Sequence, residues 1–154
     1  MSEMLGNQYF MARNYSAAQQ QLEEVILKDP LNKSVKKKLV VCYTQTGKIK
    51  EAIQYFNDLI SEDIEFIINS HPIDDDCPCP ELVEKIEGQK LANSDSADYH
   101  LILGIIWLYC DINKSIEYFI KAKEIAPDDK NIDFAVNVIS DYLTKHTLHV
   151  DPSH

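Results

Sequence analysis

The chain has 154 residues, of which 45% are hydrophobic and 26% charged, and it carries a formal net charge of −10. That length suits one domain with a substantial core, and the acidity disfavours nucleic acid or an anionic membrane as a partner. Only four glycines and six prolines, against many Leu, Ile, Ala, Glu, Lys and Gln, predict an all-α chain.

The first helix is expected over Ser2–Ala12, with Leu5, Tyr9 and Phe10 at helical spacing. Arg13-Asn14-Tyr15 makes a turn, and Ser16 with Gln19 three residues later reads as a capping box for a second helix. Asp29-Pro30 stops that helix. Two more helices follow in Leu39–Ile60, joined at Thr46-Gly47-Lys48, and they echo the first pair. Leu39 answers Leu5, Tyr43 answers Tyr9, Ala52 answers Ala18 and Phe56 answers Leu22, a period of about 34 residues. The apolar series Ile53, Phe56, Ile60, Ile64, Ile67 carries the fourth helix to about Ser70, where His71-Pro72 ends it.

Residues 71–95 read as an insertion. Ile73–Pro80 is a loop by composition, and Pro80 suits the first position of a short helix over Glu81–Glu87, closed near Gly88. Leu91–Asp98 is a polar connector with Ser94 or Ser96 as the next cap. A helix over Asp98–Tyr109, another after Asp111 up to Pro127, and an amphipathic helix up to Lys145 complete the chain, with 147–154 expected as a loose tail.

Leu5-Gly6, Tyr9, Ala18, Leu22 and Pro30 resemble the tetratricopeptide repeat pattern. So does Asp111–Pro127, with Ser115 and Ala122 at small positions and Phe119 at the large one. The resemblance implies an all-α, right-handed helical solenoid. Its parts are hairpins over 2–32, 33–70 and 96–128, then a capping helix over 129–145 that covers the last apolar face. The second unit departs from the pattern, with Lys36 at an apolar position and Ile64 in place of the closing proline.

Such repeats bind partner segments on the concave face of their first helices. Mapped by register, that groove holds Asn7, Phe10 and Met11, then Lys37, Val41 and Thr44, then His100, Trp107 and Leu108. Its apolar content implies a peptide or helix with hydrophobic anchors, unless the insertion helix, the capping helix or a second copy covers it. One branch of the family clamps C-terminal carboxylates. Here Asn7 matches, but Glu3, Lys38, Ala97 and Leu101 stand where the remaining polar and basic groups belong, which excludes that mode.

Cys77-Pro-Cys79 with His71 and Asp74–Asp76 is the one metal-like or redox-like cluster. Its spacing is poor for zinc, so a plain acidic loop is expected, with no metal site and no cofactor. The four cysteines are expected to be reduced. Lys36–Lys38 reads as a solvated run. No nucleotide loop, nucleophile elbow or metalloprotease motif occurs, so no enzymatic activity is expected. Neither a signal peptide nor a membrane span is predicted, and a cytoplasmic location follows as an expectation. The reading is a non-catalytic interaction module, an adaptor or chaperone-like protein. Two alternatives remain: a metal- or redox-responsive adaptor acting through the Cys77/Cys79 loop, and a self-assembling repeat protein, which leaves a homo-oligomer open.

Overall fold

The computed structural model describes residues 2–70, 81–88 and 96–150, and eight helices are found among them. The first hairpin pairs α1 (Ser2–Met11) with α2 (Tyr15–Lys28), and the second pairs α3 (Lys33–Gln45) with α4 (Ile49–Ile68). α5 (Glu81–Gly88) follows, then α6 (Ala97–Leu108), α7 (Ile112–Ile125) and α8 (Lys130–Val150).

The echo extends to the turns. α1 closes with Asn14 N–H on the Tyr9 carbonyl at 2.9 Å, and α3 closes with Lys48 N–H on the Tyr43 carbonyl at 3.0 Å. The residue that makes each closure possible sits in the left-handed region: Arg13 at φ 63° and Gly47 at φ 83°. Arg13 therefore does what glycine does one unit later. Because the chain reverses so tightly there, α2 starts earlier than the capping box implied. Asn14, not Ser16, is its cap, its Oδ1 accepting Ala17 N–H at 3.2 Å.

α4 crosses the expected unit boundary as foreseen, but it bends there, with Asp63 at φ −164° and ψ 78°. Ser96 is the cap of α6, accepting Tyr99 N–H at 3.0 Å. The last helix outruns its predicted end at Lys145. No proline or glycine lies between Lys145 and Val150, and Tyr142 stacks on His146 at 3.8 Å between ring centroids. Residues 151–154 lie outside the described residues, as do 71–80 and 89–95.

One core runs through the stack. Ala18, Leu22, Ala52, Phe56, Phe119, Ala122 and Ser115 have no exposed surface, which is the small-and-large alternation that close helix crossings need. Two glycines sit where a side chain has no room. A Cβ on Gly6 would come within 2.7 Å of Leu22, and one on Gly104 within 2.7 Å of the Phe119 ring. Ser115 Oγ donates to the Gly104 carbonyl at 2.6 Å, and Phe119 stacks on Phe56 at 5.5 Å.

The third hairpin departs from simple stacking. Period-mates in a regular array run in the same direction. Here the start of α6 (Asp98, Tyr99) shares a cavity with the end of α3 (Thr44, Gln45). At the other end, Tyr109 just past α6 donates its hydroxyl to the Lys37 carbonyl near the start of α3, at 2.7 Å. α6 therefore runs opposite to α3 and parallel to α4. α8 runs the same way as α4, since Asn57 donates to the Asn131 carbonyl at 3.0 Å and Tyr142 to Glu65 at 3.0 Å.

Candidate functional site

The groove expected on the first helices of each hairpin is largely filled by the chain itself. Phe10, Val41 and Leu108 have at most 2% of their surface exposed and belong to the core rather than to an open wall. Lys37 and Thr44 are buried as well. Thr44 donates its hydroxyl to the Val41 carbonyl at 2.6 Å. Asn7 is half-buried and accepts from Lys38 Nζ at 3.1 Å. Trp107 is half-buried beneath Lys114 Nζ, which stands 5.2 Å from its ring centroid. His100 is half-buried against Tyr99 and Tyr118, with Nδ1 donating to the Ser96 carbonyl at 3.1 Å. Met11 is 58% exposed on α1, away from the others. The nine residues do not converge on one surface.

Two elements cause this. The reversed α6 lies along α3, and α5 lies between the α1–α2 turn and α6. Leu82 and Val83 of α5 are buried in the common core. Lys85 and Leu82 line a small cavity with Arg13 and Tyr15, and Glu87 accepts the Tyr118 hydroxyl at 2.6 Å. Among the described residues, one opening that remains is a cleft of about 530 Å³ lined by Thr44, Gln45, Ile49, Ile86, Asp98, Tyr99 and Ile102. Of these, the register mapping named Thr44. The rest of the lining depends on where the insertion returns the chain.

The lysine run is not a solvated face. Lys37 Nζ donates to the Phe66 carbonyl at 3.2 Å and stands 4.8 Å from the Phe66 ring centroid, so it holds the bent end of α4 against α3. Lys36 faces the Tyr55 ring at 5.9 Å. Nearby, Tyr43 donates to Glu23 at 2.7 Å; burial and that carboxylate push the Tyr43 phenol well above its ordinary range. Burial likewise pushes the Cys42 thiol up to about 12, so it stays protonated and inert at neutral pH.

A family model described as tetratricopeptide repeat matches residues 9–63, from the middle of α1 to the bend in α4. That stretch is similar to tetratricopeptide repeats. A comparison with curated proteins gives no match. The matched stretch is the part whose period is regular; the reversed third hairpin lies beyond it.

Two of the carboxylate-clamp positions are spent on each other here, Lys38 donating to Asn7. Cys110 is disulfide-bonded, against the expectation of reduced cysteines. Cys42 is free and buried, and the partner of Cys110 lies outside the described residues. Among the described residues no three His, Cys, Asp or Glu side chains gather as a metal site; His71, Asp74–Asp76, Cys77 and Cys79 lie outside them. Among the described residues, too, no helix is long and apolar enough to cross a membrane.

Proposed function

We propose that this tetratricopeptide repeat chain is a non-catalytic protein-interaction module of adaptor or chaperone-like type. Its partner segment enters the cleft between the α3–α4 turn, α5 and α6, not the groove mapped by register. The observation that carries this reading is the cleft itself, whose volume of about 530 Å³ falls in the range of ligand sites. Ile49, Ile86, Tyr99 and Ile102 supply apolar wall, and Asp98 with Gln45 supplies the polar rim. A segment with an apolar anchor and an adjacent basic residue fits that lining.

Panning a displayed peptide library on the wild type, with Asp98→Lys/Tyr99→Ala as the comparison, tests it. Asp98 is exposed at the rim and Tyr99 half-buried in the wall, and neither belongs to the buried core, so circular dichroism should be unchanged. Selected peptides are expected to lose about tenfold or more in affinity on the variant. Equal binding to both proteins would remove the cleft from consideration.

A second reading is favoured by the Cys110 disulfide: a redox-responsive adaptor in which reduction alters the cleft. The cysteine that Cys110 pairs with lies outside the described residues. Reduction with a dithiol is then expected to change the affinity of cleft peptides, and Cys110→Ser should mimic it. Identical affinities before and after reduction would end that reading.

A further inference from the structure

The outer face of α1 is an uncovered copy of an interface used elsewhere in the same chain. Met4 is 65% exposed, Leu5 38% and Met11 58%, and Gln8 and Ala12 between and beside them are exposed too. Positions 4, 5, 8, 11 and 12 form one stripe at helical spacing. One period later the same stripe is Lys38, Leu39, Cys42, Gln45 and Thr46, where Leu39 and Cys42 have no exposed surface. What covers it there is α2, packed antiparallel on α3. Gln19 accepts the Thr46 hydroxyl, and Glu23, one turn later on α2, accepts from Tyr43 earlier on α3. The stacking surface of the array thus continues onto α1, where among the described residues no helix covers it.

We propose that a second copy of this chain covers that face, with the two α1 helices packed antiparallel across a two-fold axis. An antiparallel helix is the cover that α3 receives, and a two-fold axis supplies one by symmetry, the same patch serving both subunits. The register is self-complementary. With Gln8 on the axis, Leu5 meets the other copy's Met11 and Met4 meets its Ala12. The two Gln8 amides can each donate to and accept from the other. Composition agrees: α1 has Glu3 as its sole charged residue and two exposed methionines, within a chain 26% charged. Depletion of charge with enrichment of Met is the signature of an interface centre. The remaining charge of −10 repels between copies, so added salt should strengthen this association rather than weaken it.

Sedimentation of the full chain across a concentration series, at low and high salt, is the test. The mass is expected to rise from 17.7 kDa to twice that value, at lower concentration in high salt. Leu5→Glu/Met11→Glu changes only exposed residues and should return the monomer with unaltered circular dichroism. Gln8→Cys should give, on mild oxidation, a covalent dimer whose disulfide maps to position 8. A wild type that stays at the monomer mass overturns the proposal. So does a folded Leu5→Glu/Met11→Glu protein that still dimerises, or a Gln8→Cys protein that does not cross-link through position 8. None of these outcomes bears on the cleft, whose test is separate.

Discussion

Phe119→Ala is expected to lower the free energy of unfolding by about 3–5 kcal/mol. The ring has no exposed surface, stacks on Phe56 from the second hairpin, and lies against the bare backbone of Gly104. Its removal empties the point where the second and third hairpins meet. Helices whose crossing is set by backbone contact cannot close that gap by a small shift, so collapse recovers little. Urea unfolding followed by circular dichroism measures the loss. A change below about 1 kcal/mol would mean that the α6–α7 hairpin does not rest on this ring. Gly104→Ala should lose stability for the opposite reason, because its new methyl meets the same ring.

Leu82→Ser/Val83→Ser should undock α5. Each side chain is almost wholly buried, and burial of a residue of that size is worth about 1.5–3 kcal/mol. Beyond those two anchors and the half-buried Ile86, the described part of the helix has the Glu87–Tyr118 hydrogen bond to hold it. The expected result is fast amide exchange throughout α5 and raised exchange at Thr44 and Gln45, beside which Ile86 sits. The α1–α2 hairpin should keep its protection, since its own core of Phe10, Ala18 and Leu22 is intact. Unchanged exchange at Thr44 would show that α5 is no part of the cleft wall.

How much of this was legible beforehand follows from the range of each interaction. Leu5, Tyr9, Ala18 and Leu22 with their period-mates fix helix pairs over short separations, and there periodicity predicted both hairpins and the small positions. The cap at Ser96, the short helix from Glu81 and the continuation of α4 were equally local. What escaped were contacts across the chain. Tyr109 reaches the Lys37 carbonyl over 72 positions, and Tyr142 reaches Glu65 over 77. Neither leaves a pattern in composition or spacing. The buried role of Lys37 is of this kind, since nothing in Lys36-Lys37-Lys38 marks its middle member. Register placed Phe10, Val41 and Leu108 on a groove wall on the assumption that period-mates run in one direction. The reversal of α6 broke that assumption, and with it the cleft moved to residues that, Thr44 apart, register did not name.

That reversal also has an electrostatic side. Neighbouring antiparallel helices cancel their dipoles, but α4, α6 and α8 all start at the same edge, around a cavity shared by Lys48, Glu51, Asp98, Asp129 and Asn131. Three positive helix ends there would repel one another if left bare. The chain meets them with acid. Asp129 accepts Asn131 N–H at 2.9 Å and Ile132 N–H at 3.2 Å, while Asp98 and Glu51 stand in the first turns of α6 and α4. Part of the excess negative charge of this chain is therefore structural counter-charge. An inserted crossing that turns a repeat around must bring its own carboxylates, or the edge where the helices begin together will not hold.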